Sequence, residues 1–444
     1  MCPTFIYESG KPLRGEEQLN RVTVPAGAAM VLGIVEGDLY LSDGAYVRAE
    51  DSEKVEVQGT VQYVGDCTFE CSLSAGLIRG RRGDLTVDGD LSVERSIRIH
   101  DGGLEVRGDL LAKNIKVDQA VLVGKNLSVE SIEVGGKIKV EGDTKGGKIE
   151  VGGSFEAQGD VEAEQIEAGG SVKIEGRIKA AEVSVGGAFR GRGEVHVERV
   201  EVGGTFISES EVSIEKLRVG GKVRVAGGEI KERISVGGAF ESNSALSLGS
   251  IDVGGTLKVN GDLKFSDIDV GGRASISGDA EGVSIDIGGT LKIGKNLTLA
   301  DKLDVGGKVE VGEVLKANSV SVGGSVKART IRAKDSVRVG GRIETVEGIK
   351  AAKVGIGRRG KIMGIVVAEE ALLGERAEAE DIYANFVTME EGSKARNVYA
   401  KNIYIERGCR IAGEIKYTEE LRKEEDVHFA REPEKTERLP PPPI

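Results

Sequence analysis

The sequence predicts an all-β fold, a single-stranded parallel β-helix (β-solenoid) with three strands per coil, about 17 residues per coil and roughly 22 coils. Three observations predict it. A pair of glycines recurs on a seventeen-residue beat, as in "IEAGGSVKIEGRIKAAEVSVGG" at 166–187. With the pair placed last in each unit, 103–358 divides into fifteen units, fourteen of seventeen residues and one, 290–307, of eighteen; thirteen of them end in Gly-Gly. Within that frame the second, thirteenth and fifteenth places are apolar in every unit, for example Val172, Val183 and Val185, or Leu257, Ile268 and Val270. The composition agrees: 66 glycines, 4% aromatic residues and no Trp do not build an ordinary mixed core.

Each element follows from the frame. Places two and four, eight and ten, and thirteen and fifteen are alternating apolar pairs, the period-two pattern of short strands with one buried face. Two of the three corners are marked. The Gly-Gly pair is expected to supply positive φ, and Gly-Asp at places six and seven (Gly108-Asp109, Gly142-Asp143, Gly159-Asp160, Gly261-Asp262, Gly278-Asp279) is common turn chemistry. One coil cannot bury its inner face alone. Stacking coils about 4.8 Å apart pairs each strand above and below and encloses a core, in which Phe155, Phe189, Phe206 and Phe240 share an internal column.

The chain divides accordingly. Residues 1–22 form an N-terminal tail, 23–102 less regular coils, 103–358 the regular solenoid and 359–417 further coils in which Tyr replaces Val. Residues 418–444, "TEELRKEEDVHFAREPEKTERLPPPPI", are dense in charge and close on prolines. They are expected to be a tail able to form a short helix and, through the Pro-rich stretch, to meet a protein partner.

Function classes narrow by exclusion. A net charge of −12 argues against sequence-blind binding to nucleic acid, which needs a basic stripe. No apolar run reaches a membrane span, and Glu8, Glu16 and Glu17 ahead of "VTVPAGAAMVLGIV" disfavour a signal peptide. Four cysteines do not suggest a disulfide scaffold, so a reducing, cytoplasmic setting is expected. "GIGRRG" at 355–360 matches a dinucleotide fingerprint, but "KIMGIVV" follows where a helix is needed, and its glycines fall in the repeat frame. Cys67 and Cys71 lack a second pair for zinc and are expected to be core thiols. His100, His196 and His428 stand alone, and no carboxylate pair is singled out for acid–base work, so neither an enzyme nor a cofactor is expected.

The three-stranded coil, the Pro-rich stretch, the "GDL-V-GDL-V" phrases near 83–93 and the phrase "IYIERGCRIAGEIKY" at 403–417 resemble the bactofilins, polymer-forming cytoskeletal proteins, with an unusually long solenoid here. The likeness is greatest over 372–417. It implies a right-handed, three-sided β-helix flanked by flexible tails, joining end to end into non-polar filaments without nucleotide or other cofactor. Some members carry an apolar membrane-targeting peptide; "MCPTFIY" matches it poorly, which leaves membrane association open beside the cytoplasmic expectation.

Two surface expectations follow. Place fourteen should stack carboxylates into two acidic rows, Glu133, Glu150, Glu167 and Glu201, then Asp252, Asp269, Asp286 and Asp304, weak candidates for divalent cations or a basic partner. End-to-end self-assembly should use the terminal coils, with Met30, Val31, Ile34 and Val35 at one junction and Ile411, Ile415, Tyr417 and Phe429 at the other. A segment "EELRKEEDVHF" folding back through Leu421, Val427 and Phe429 would instead cap the second end. The alternative to a self-assembling scaffold is an exported, adhesive solenoid that binds through one long face.

Overall fold

The computed structural model describes residues 21–50 and 53–443, so "MCPTFIY" and most of the expected N-terminal tail lie outside the described residues. The described chain is all β-strand and turn. It forms two compact units, Met1–Gly221 and Lys222–Ile444. Each is a parallel β-solenoid of about 17 residues per turn, with about 24 turns in the two together.

In the first unit the coil at 171–187 is representative. Ser171–Ile174 and Ile178–Val185 are its strands, with burial alternating along both. Val172, Ile174, Ile178, Ala180, Val183 and Val185 point inward, each less than a tenth exposed. Every strand pairs in parallel with its counterpart one coil away, in registers such as Val172↔Phe189 and Val183↔Val200. The eight-residue strand holds the expected second and third strands in one ladder. The register skips Ala181, and that exposed residue makes the unmarked corner. β-Branched residues dominate the inward places because they fit a pleated, buried surface.

The glycine pairs have a different cause from the one expected. None of the pairs that close a unit, at places sixteen and seventeen of the regular coils, has positive φ in either unit; Gly227-Gly228, at places six and seven of its unit, does. Each pair instead continues the ladder around its corner: the Gly170 amide donates to the Gly153 carbonyl, and Gly187 to Gly170, both at 2.9 Å. A Cβ on Gly170 would stand 2.7 Å from the Gly153 carbonyl oxygen, closer than any real side chain approaches. Close stacking at the corner excludes a Cβ.

The Gly-Asp corners also do more than turn. The Asp143 amide donates to Asn126 Oδ1 at 2.8 Å, Asp160 to Asp143 Oδ1 at 2.8 Å and Arg177 to Asp160 Oδ1 at 2.8 Å. Place seven is therefore a ladder of Asn and Asp side chains, each satisfying the backbone of the next coil. That ladder begins at Ser72, whose hydroxyl accepts from the Asp90 amide. Donation from Arg177 to Asp160, by backbone and guanidinium, holds that carboxyl below its ordinary range.

Aromatic rings enter the core where a neighbour leaves room. Phe155, Phe189 and Phe206 are buried, and Phe189 stacks on Phe206 with ring centroids 4.9 Å apart. Tyr63 lies against Gly80, whose missing side chain is the space the ring fills. Cys67 and Cys71 are buried free thiols, and burial pushes each up to about 11.

The second unit is built from coils of the same kind, with Phe240 buried in the core and Phe265 seated against Gly282. An Asx ladder recurs from Asp262 through Asp279 to Asn296. Farther on the coil tightens. Val366 sits beside Ile382 and Ile382 beside Val398, steps of sixteen residues. "GIGRRG" is a corner in which the Gly360 amide bonds the Gly357 carbonyl at 2.9 Å, and the strand Lys361–Met363 follows. Arg359 holds φ at 57° there.

The boundary expected at 417 falls inside a strand, Ile415–Lys423, paired with Val398 to Ile405. The expected helix does not form. His428–Phe429 pairs with Arg410–Ile411, and Glu434–Lys435 pairs with Lys416 and Tyr417. Outward ladder positions suit charged side chains, so charge density alone does not release a segment from the coil.

Candidate functional site

Three surfaces gather the residues the sequence singled out. The first is the pair of acidic rows. Glu133, Glu150, Glu167, Ser184 and Glu201 occupy successive rungs in the first unit. Asp252, Asp269, Asp286 and Asp304 do so in the second. The first row is interleaved with cations: Lys116 pairs with Glu133 at 2.6 Å, and Lys148 with Glu150 at 3.0 Å and Glu167 at 3.8 Å. Beside the second row, Asp267 accepts from Ser250 at 3.3 Å and Ser284 at 2.5 Å. Among the described residues no three His, Cys, Asp or Glu side chains converge as a metal site.

The second surface is the N-terminal coil. Arg21–Val24, Ala29–Leu32 and Ile34–Val35 each have a ladder partner on one side only among the described residues. Met30 and Val31 are half-buried and Ile34 is 62% exposed, but Val35 is buried in the core and offers no junction contact.

The third is the C-terminal edge. Ile411 and Ile415, expected at a free end, are core residues only 1% exposed. The chain beyond Lys423 passes over them: Phe429 pairs with Ile411, and the Thr436 amide donates to the Tyr417 carbonyl at 2.9 Å. Lys423 lies over the Phe429 ring and Lys435 over Tyr417. The covering strands are only two residues long, and the second, Glu434–Lys435, is charged and leads into the proline run, features that blunt a sheet edge. Phe429, expected at a junction or alternatively in a fold-back cap with Leu421 and Val427, pairs as a strand residue with Ile411.

Beside that edge lies a feature the sequence reading missed. Val367, Tyr383, Tyr399 and Lys416 stack on one outward column. The tyrosine rings lie 4.7 Å apart at 29°. Tyr399 donates to Glu414 at 3.0 Å, and burial with that carboxylate pushes its hydroxyl up to about 12. The signal was present as tyrosines sixteen residues apart at outward places.

The remaining motif residues are dispersed. His196 is exposed, and His100 stands 3.5 Å from Asp118, both open to solvent. Cys409 is buried beside Ser393 at 3.3 Å. No helix of the described residues is long and apolar enough to cross a membrane. No protein-family model matches the sequence, and neither a curated protein nor a solved structure matches it.

Proposed function

We propose that the chain is a structural protein of the bactofilin kind, a cytoplasmic solenoid element that self-associates end to end without nucleotide or cofactor. One observation carries the reading. The N-terminal coil presents three strand edges paired on one side only among the described residues, beside the exposed side chain of Ile34 and the half-buried Met30 and Val31. Unpaired edges of this kind are templates for pairing with another chain. The same patch on two copies gives a two-fold contact. Growth beyond a pair uses the C-terminal edge of the second unit, where the segment after Lys423 must first leave Ile411 and Tyr417.

The test is sedimentation of the intact chain and of Ile34→Glu, without nucleotide and across salt. The wild type should sediment as pairs or larger species. The variant should be monomeric with an unchanged β-rich spectrum, because Ile34 lies outside the core. Identical sedimentation of the two as monomers overturns the reading.

A further inference from the structure

Outward places on these coils are filled mainly by Lys, Glu, Asp and Ser, and the column of Val367, Tyr383 and Tyr399 departs from that rule. Their neighbours Val366, Ile382 and Val398 point into the core, so strand alternation turns this column outward. Tyr399 is nonetheless only 7% exposed. Tyr383, the Lys416 rung and Glu414 pack around it, and the chain's own continuation runs across from it. After Glu434–Lys435 joins the Lys416 rung, Leu439, Pro440, Pro441 and Pro442 wall an open groove of about 790 Å³ whose floor holds Tyr383 and Tyr399.

The lengths agree. From Thr436 to Pro442 a polyproline helix at about 3.1 Å per residue reaches roughly 20 Å. The three rungs from Lys416 to Val367 span roughly 14 Å at about 4.8 Å each. The chemistry agrees too. Consecutive prolines hold the extended helix before binding, so little entropy is lost, and stacked aromatic rings form the kind of groove that takes such a ridge. Lys416 also lines the groove, and its ammonium pairs with Glu434 at 3.3 Å, which fastens the rung from which the proline segment departs.

We propose that the Tyr383–Tyr399 column is a receptor for proline-rich segments, and that its resident ligand is residues 439–442 of the same chain. The partner it fits is an extended peptide with an apolar residue leading a run of prolines. A tethered ligand competes at millimolar effective concentration, so an outside peptide binds well only when the resident segment is absent.

The test uses the full chain with residues 439–443 replaced by Gly and Ser, and a fluorescent peptide of residues 436–443 followed by anisotropy. The substituted chain should bind the peptide at least tenfold more tightly than the wild type, an order-of-magnitude expectation from tethering. A peptide with its prolines replaced by serine should not bind. Tyr383→Ala in the substituted chain should abolish binding with the β-rich spectrum intact. Should that variant misfold, Val367→Glu, which places a charge in the groove from an outward position, decides the matter. Failure of the substituted chain to bind, or binding unaffected by the groove variants, overturns the proposal.

Discussion

Gly170 lies over Gly153 so closely that a Cβ on Gly170 would stand 2.7 Å from the Gly153 carbonyl oxygen, while the two residues share a 2.9 Å hydrogen bond. The seventeen-residue beat of glycine pairs is thus a packing requirement between coils. It predicts a contrast between two Gly-to-Ala changes. Gly170→Ala forces backbone against backbone and should lower the denaturation midpoint, at a cost of about 2 kcal/mol or more. Gly355→Ala has nothing within 4 Å of the new methyl and ordinary φ, so it should be neutral or slightly stabilising. Equal effects would refute the stacking explanation.

The Asx ladder gives a second contrast. Asp143 Oδ1 accepts from the Asp160 amide, and Asn126 performs the same task one coil earlier. Asp143→Asn should therefore leave stability nearly unchanged. Asp143→Ala should cost about 1 kcal/mol and speed hydrogen exchange at the Asp160 amide. A loss in the Asn variant as large as in the Ala variant would show that charge, not acceptance, matters there.

Tyr63 predicts a gain. Its hydroxyl is buried without a partner among the described residues, while its ring fills the space over Gly80. Tyr63→Phe keeps the ring and removes the orphaned group, so the midpoint should rise by the equivalent of about 1 kcal/mol. A fall would place an unseen partner at that oxygen.

The buried thiols set an alkaline limit. Burial raises Cys67 and Cys71 from an ordinary 9.0 to about 11. Above about pH 9 the unfolded chain releases these protons and the folded chain keeps them, so ionisation favours unfolding. Stability present below pH 9 should be lost between pH 9 and 11, by about 2 to 3 kcal/mol per thiol at most. The double variant Cys67→Ala, Cys71→Ala should show a flatter midpoint-versus-pH curve over that window. An unchanged slope would assign the alkaline sensitivity to other groups.

The inward residues were legible because period and alternation act together: a side chain at place two, thirteen or fifteen has only the core to enter. The reason for the glycine pairs was not. Positive φ and a close neighbour both exclude a Cβ, and one chain of letters does not separate them. The ladder of Asp109, Asn126, Asp143 and Asp160 was not read either: its signal is their seventeen-residue spacing, but each alone reads as a turn residue. The segment after Tyr417 misled because its charges sit at outward places and its later strands, His428–Phe429 and Glu434–Lys435, are too short to show alternation. Ile411 and Ile415 looked like end residues by position in the chain, but the added strands make them core.

Negative-stain electron microscopy of the purified chain, without nucleotide and over a range of salt, decides whether the solenoid joins end to end. End-joined pairs or filaments, lost in Ile34→Glu, are the expected result. A field of single particles at high protein concentration, the same for wild type and variant, would contradict it.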